Sequence, residues 1–145
     1  MKYKRPESIL ALIYAQSTGR VLMLQRRDDP EFWQSVTGSL EEGESPLYAA
    51  QREVKEEVGI DITGENLTLL DCQRCVEFEL FAHFRPRYAP GTTHNKEHWF
   101  CLALPEERDV KLTEHHAYQW LNSPEAAALT KSWSNKLAIE EFVIY

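Results

Sequence analysis

Three glutamates within a five-residue span, Glu53, Glu56 and Glu57, are the most chemically informative feature of the sequence. On a helix they lie within about a 100° arc, where like charges one turn apart cost roughly 0.2–0.5 kcal/mol per pair. A bound Mg²⁺ or Mn²⁺ would offset this repulsion, since hard cations prefer carboxylate oxygens. The same residues also fit a solvated helix surface on which Arg52 pairs with Glu56. Spacing favours Glu53 and Glu57 as inner metal ligands, because Glu56 points further outward.

The flanking residues predict a helix over residues 46–58. Ser45 suits the N-cap, Pro46 needs no amide donor at the first helical position, and Gly59 can adopt the left-handed conformation that ends a helix. An apolar stripe follows helical spacing and must face a core: Leu47, Ala50, Val54 and Val58. The helix therefore has one buried face, and the carboxylates lie beside it.

Residues 38–60 as a whole resemble a complete Nudix box, which reads Gly, five residues, Glu, seven residues, Arg-Glu-apolar, one residue, Glu-Glu, one residue, Gly-apolar. The matching positions are Gly38, Glu44, Arg52, Glu53, Val54, Glu56, Glu57, Gly59 and Ile60. This resemblance implies the α/β Nudix fold, with a mixed sheet between helices, and metal-dependent hydrolysis of a diphosphate linkage.

The resemblance also implies roles for individual box residues. Glu53 and Glu57 hold the metal ions and are thereby catalytic, joined by Glu56 and the Gly38 carbonyl. Glu44 and Arg52 are structural, because Arg52 can orient a glutamate through a charge-assisted hydrogen bond.

A second segment, residues 113–121, resembles the arrangement of many Nudix proteins in which a glutamate precedes Trp-Leu by several residues. The matching glutamate, Glu114, is thereby predicted to be the general base or a further metal ligand. Glu97 is the rival candidate for the base, and a loop carboxylate without a role is the other alternative. We expect His115 and His116 to be surface residues, because sequence neighbours seldom face one metal.

A wider resemblance covers nearly the whole chain and is carried by VLMLQRRDDP, FWQSVTGS, CVEFE, WFCLALP and LTKSWSN. It is to Nudix enzymes of folate synthesis that release pyrophosphate from a pterin triphosphate. By position, the implied substrate contacts are Lys4, Arg26, Thr37, Ser132 and a pterin wall formed by Phe78, Glu79, Leu80 and Phe81. Core packing is the alternative for the aromatic side chains.

Two other functions stay open at this point. One is a house-cleaning nucleoside triphosphate pyrophosphatase acting on dATP or damaged nucleotides, since purines and pterins are both flat and carry hydrogen-bonding edges. The other is a nucleotide-binding module without catalysis, although a pure binder has no need of so many carboxylates.

Composition restricts the class of protein. A chain of 145 residues suits one domain, residues 1–145. A net charge of −7 argues against a nucleic-acid partner and makes a polyphosphate substrate depend on metal ions. Three cysteines behind a charged N-terminus predict a reduced, cytoplasmic protein, and we expect no membrane segment. A monomer and a homodimer are both compatible with the sequence.

Apolar and β-branched runs predict strands at residues 8–15, 21–26, 33–38, 67–72, 76–82 and 96–104. A short helix is expected near residues 123–129 and a C-terminal helix over residues 130–145. We therefore predict a mixed sheet with the box helix on one face and the C-terminal helix on the other.

Overall fold

A computed structural model describes residues 2–143, which form seven strands, three α helices and one 3₁₀ helix. The strands are β1 (Glu7–Ala15), β2 (Val21–Arg26), β3 (Trp33–Gln34), β4 (Val36–Ser39), β5 (Leu69–Glu79), β6 (His94–Leu104) and β7 (His115–Leu121). The α helices are α1 (Pro46–Val58), α2 (Ser123–Leu129) and α3 (Trp133–Phe142), and the 3₁₀ helix is Ala82–Arg87.

Strand β1 is the centre of one mixed sheet. It pairs in parallel with β6 along its whole length, from Glu7 opposite Lys96 to Ala15 opposite Leu104. On its other side it pairs with β2 at one end and with β4 at the other, both antiparallel. Beyond that end, β2 leaves β1 and pairs with β3 and β7. The sheet therefore divides beside β4, the strand that leads towards α1.

Alternate residues of β1 pack against different helices. Ile9, Ala11 and Ile13 share one buried cluster with residues of α1. Leu10 and Leu12 share the other with residues of α2 and α3. Each fully buried leucine or isoleucine contributes about 1.5–3 kcal/mol. The predicted α/β arrangement, with helices on both faces of a mixed sheet, is confirmed.

Helix α1 begins and ends where its caps predict. The Ser45 hydroxyl accepts from the Tyr48 amide at 3.2 Å, and Gly59 has φ = 75°. The prediction for Leu47 was wrong, because its side chain is 44% exposed and the buried face begins at Ala49. The first turn of α1 therefore extends beyond the sheet.

The predicted strand over residues 33–38 is interrupted at Ser35. Its amide donates to Asn135 Oδ1 at 2.8 Å, so the chain leaves β2 here and joins β1. The two strands expected over residues 67–82 are one strand, β5, with a bulge at Gln73, whose φ is 54°.

The C-terminal helix is shorter than the predicted range. Ser132 caps α3 by accepting from the Asn135 amide at 3.2 Å, so the helix begins at Trp133. Positions 144 and 145 of the predicted helix lie outside the described residues. No helix within residues 2–143 is long and apolar enough to cross a membrane.

Candidate active site

The glutamates of α1 differ in burial as their spacing predicts. Glu53 and Glu57 are buried, whereas Glu56 is exposed. Gly38 on β4 lies under Glu53, and a Cβ at this position would stand 2.2 Å from Glu53 Cδ. A glycine at position 38 therefore leaves room for the Glu53 carboxylate.

Arg52 connects the loop before α1 to the glutamates of the helix. Its guanidinium donates to both oxygens of Glu44, at 2.6 and 2.8 Å, and to Glu56 at 3.2 Å. It also donates to Glu53. The hydrogen bond from Arg52 lowers the pKa of Glu44. The arrangement fits the structural roles predicted for Glu44 and Arg52.

Glu57 is the most deeply buried carboxylate of the box, with 1% exposure. Among residues 2–143, neither of its carboxylate oxygens has a hydrogen-bond partner. Burial, followed by the nearby carboxylates of Glu53 and Glu114, raises its pKa well above the ordinary value. A buried carboxylate without donors is costly, and a cation relieves that cost. The donor set therefore fits a hard divalent metal.

The candidate metal ligands do not converge on one point. Within residues 2–143, no three carboxylate, imidazole or thiol groups converge at metal-binding distance. Glu53 is engaged by Arg52 instead. The Glu53 carboxylate is among the charges next to Glu57 and is held by Arg52.

His115 contradicts the expectation that it lies on the surface. It is 6% exposed, and its Nδ1 lies 3.7 Å from Glu57 Oε1. Burial, and then the positive charge of Arg26, lowers its pKa to about 4, so the imidazole is neutral at pH 7. Alternation along the strand could have indicated this burial, because successive side chains of a strand point to opposite faces of the sheet. The next residue of β7, His116, is exposed.

Glu114 immediately precedes β7, and its loop is attached to the end of α1. The Thr113 hydroxyl donates to the Glu56 carbonyl at 2.5 Å, and the Lys111 amide donates to the Val58 carbonyl at 3.3 Å. Glu114 and Glu57 consequently line the same polar cavity of about 280 Å³. Glu97 does not line this cavity.

A cationic cluster stands beside these carboxylates. Arg26 donates to both oxygens of Asp28 at 2.8 Å, and Arg87 donates to the same carboxylate. The Lys4 amide donates to the Arg87 carbonyl at 2.9 Å, which brings the lysine to the two arginines. Partial burial, followed by the charges of Arg87 and Arg26, lowers the pKa of Lys4.

A second, larger cavity of about 540 Å³ adjoins the polar one and has aromatic walls. All eight predicted substrate contacts line it: Lys4, Arg26, Thr37, Phe78, Glu79, Leu80, Phe81 and Ser132. The two cavities share five lining residues: Lys4, Arg26, Gln34, Thr37 and Arg87. The cationic cluster therefore forms the boundary between a carboxylate cavity and an aromatic cavity.

The aromatic side chains around the larger cavity pack on one another. Phe78 meets Trp133 edge to face at 6.5 Å, and Phe81 meets Phe32 in the same way at 5.4 Å. Trp133 is 53% exposed and lines the cavity as well.

Several lining residues were missed from the sequence. Arg87 and Phe84 come from the 3₁₀ helix, Asn95 from β6 and Trp133 from α3. Arg85 and Arg87, on either side of Pro86, could have indicated a cationic segment. The direction of each side chain, however, depends on the fold of that segment.

The chain is similar to known proteins along almost its whole length. The model of the NUDIX domain matches residues 4–142. Dihydroneopterin triphosphate diphosphatase of Escherichia coli K12 is 72% identical over 142 residues, which are 98% of this chain and 95% of that protein. The Haemophilus influenzae protein of the same name is 48% identical, over 99% of this chain and 90% of that protein.

Solved structures also resemble this chain along almost its whole length. The structure of the E. coli dihydroneopterin triphosphate pyrophosphohydrolase has a TM-score of 0.97 and 71% identity, covering 99% of this chain and 98% of that chain. Sequence and fold thus point to the same group of proteins.

Proposed function

The chain belongs to the Nudix family, and from this premise we propose that it hydrolyses 7,8-dihydroneopterin triphosphate to dihydroneopterin monophosphate and pyrophosphate. The reaction is a phosphoanhydride hydrolysis, which makes the protein a pyrophosphohydrolase of folate biosynthesis. Relatives with 72% and 48% identity carry the name of this activity.

The observation that carries the proposal is the pair of adjoining cavities. A pterin triphosphate has a flat ring at one end and a polyanion at the other. The aromatic cavity suits the ring, the shared cationic boundary suits the phosphates, and the carboxylate cavity suits metal-assisted hydrolysis. The order of these regions matches the order of the groups in the substrate.

The proposed metal ligands are Glu53 and Glu57, with Glu56 and the Gly38 carbonyl as further candidates. Mg²⁺, or Mn²⁺ in its place, would neutralise charge on the phosphate oxygens when bound there. Arg52 keeps Glu53 beside Gly38 through its hydrogen bond, and neutral His115 adds no positive charge next to Glu57.

The remaining charged residues have complementary proposed roles. Glu114 accepts the proton of the attacking water, because its loop holds it at the edge of the carboxylate cavity. Lys4 and Arg26 bind the phosphates, and the position of Arg87 adds a third cation to that group. Thr37 and Ser132 contribute hydroxyl groups to the wall of the aromatic cavity.

We also propose a cytoplasmic location and a single Nudix domain. Within residues 2–143, Cys72, Cys75 and Cys101 form no disulfide bond, as expected in a reducing compartment. The family match covers residues 4–142.

One assay tests the activity directly. Pyrophosphate release is measured with Mg²⁺ on dihydroneopterin triphosphate, dATP and GTP at equal concentration. We expect the pterin substrate to be cleaved fastest and activity to disappear with EDTA. Similar rates on all three would instead identify a general nucleoside triphosphate pyrophosphatase, and no release from any of them would favour a binding module.

A further inference from the structure

We propose that Glu97 is the residue that recognises the heterocyclic ring, by accepting hydrogen bonds from the adjacent ring N–H and amine of a 2-amino-4-oxopyrimidine edge. This inference rests on the proposed function, because a pterin presents such an edge. Guanine presents the same edge, whereas adenine does not.

The position of Glu97 separates it from the hydrolytic groups. It lies on β6, is 3% exposed and lines the aromatic cavity. Its Oε1 accepts from Trp99 Nε1 at 3.1 Å. This donor holds the carboxylate in place among the apolar walls.

Asn95, two residues earlier on the same face of β6, supplies a further acceptor. Its Nδ2 donates to Ser8 Oγ at 2.7 Å, which orients the amide. Its Oδ1 is buried without a partner among residues 2–143. An unpaired buried acceptor costs about 1–3 kcal/mol, so the cavity is built for a ligand that brings N–H donors. Glu97 and Asn95 together offer acceptors to both hydrogens of an amine.

The chemistry of the ring edges decides which ligand fits. A 2-amino-4-oxopyrimidine has two neighbouring donors, the ring N–H and the amine, which an ionised carboxylate can accept side by side. Adenine has an amine donor next to a ring nitrogen that is an acceptor, and a carboxylate oxygen is repelled there. Burial raises the pKa of Glu97 to about 7, so the group can be ionised near neutral pH when donors are present. Charge-assisted hydrogen bonds between buried groups then give recognition strength.

The variant Glu97→Gln tests this inference because it keeps the shape of the side chain while replacing one acceptor by a donor. The amide would complement adenine and oppose the ring N–H of a pterin or guanine. We expect the ratio of kcat/KM for dihydroneopterin triphosphate to that for dATP to fall by about tenfold or more. The ratio for dGTP to dATP should fall in parallel.

A matched control is Glu77→Gln, the same substitution on the neighbouring strand β5. Glu77 is exposed, lies opposite Lys96 and does not line either cavity. Both substrate ratios should stay within about twofold of the wild-type values, as expected for a surface charge.

The outcomes separate this inference from the proposed function. If dihydroneopterin triphosphate is not a substrate, the proposed function fails, and the dGTP to dATP ratio still tests Glu97. If Glu97→Gln lowers activity on all three substrates equally, Glu97 does not recognise the ring and the inference is overturned. Unchanged ratios overturn it as well.

The wild-type protein provides a second test that does not depend on how the variant folds. Inosine lacks the 2-amino group of guanine but keeps the ring N–H. We expect dGTP to be cleaved about tenfold more efficiently than dITP, since the acceptors of Glu97 and Asn95 would lose a donor. Equal efficiencies would contradict the inference.

Discussion

Glu57 and Glu97 are the same residue type at nearly the same burial, with 1% and 3% exposure, but their surroundings differ. Among residues 2–143, Glu57 has no hydrogen-bond donor and stands near the carboxylates of Glu53 and Glu114. Glu97 receives a hydrogen bond from Trp99 inside an aromatic cavity. The surroundings of Glu57 favour a bound cation. The surroundings of Glu97 hold a carboxylate that can accept hydrogen bonds from a neutral ligand.

The comparison shows that burial alone does not define a functional carboxylate. Desolvation is the largest cause of the raised pKa in both residues. The neighbouring groups then decide the role. A second carboxylate favours metal binding, whereas neutral donors orient the carboxylate for ligand recognition. Each of the following changes tests one side of this distinction.

The largest effect is expected for Glu57→Gln. The variant should lose turnover by at least about 10³-fold, because a charged group that stabilises the transition state is removed. Its Tm without added metal should stay the same or rise slightly, since an unpaired buried carboxylate is lost. Steady-state kinetics and calorimetry measure the two quantities. Glu77→Gln, at an exposed position that lines neither cavity, provides the control and should change turnover by no more than about twofold.

Glu114→Gln should lower kcat by about 10² to 10⁴-fold if Glu114 is the general base. The loss should be similar for every substrate, because the base acts on water and not on the ring. Steady-state kinetics on each substrate measures the loss. A loss below about tenfold would transfer the role to another group, and a uniform loss in Glu97→Gln would identify that group as Glu97.

A stability difference that depends on pH is expected for Glu97→Gln. The folded pKa of Glu97 is about 7 against an ordinary value of 4.5, so folding favours the protonated form. The wild-type protein therefore loses this contribution as pH rises from about 4.5 to 7.

Relative to wild type, Glu97→Gln should gain about 2 kcal/mol in free energy of unfolding between pH 5 and pH 8. Urea denaturation at the two pH values, without ligand, measures the gain. A difference that does not change with pH would show that Glu97 stays ionised throughout and that the surrounding donors outweigh burial.

The smallest effect is expected for Phe78→Ala in the aromatic wall. Its contact with Trp133, which also lines the aromatic cavity, is edge to face. An aromatic contact contributes about 0.5–1.5 kcal/mol, so KM should rise about two- to tenfold while kcat changes little. A fall in kcat with an unchanged KM would instead show that the wall affects the geometry of the carboxylate cavity.

Much of the fold could be predicted because its signals are local. Ser45, Pro46 and Gly59 determine the limits of α1 through their own backbone and capping preferences. The continuous apolar run of β1 likewise predicts a strand buried on both faces. The predictions that were wrong, such as those for Leu47 and His115, concern which neighbours an element meets.

The sequence by itself determined the family motif, the α1 helix and the identity of the carboxylates, since these depend on spacing along a few turns of chain. Only the tertiary structure decided that Glu114 faces Glu57 and that Glu97 faces the aromatic cavity. It also brought Arg87 to Arg26 through their shared partner Asp28. The reason is physical: these residues are far apart in the chain, and strand pairing and the packing of helices on the sheet, which no local pattern records, set their distances.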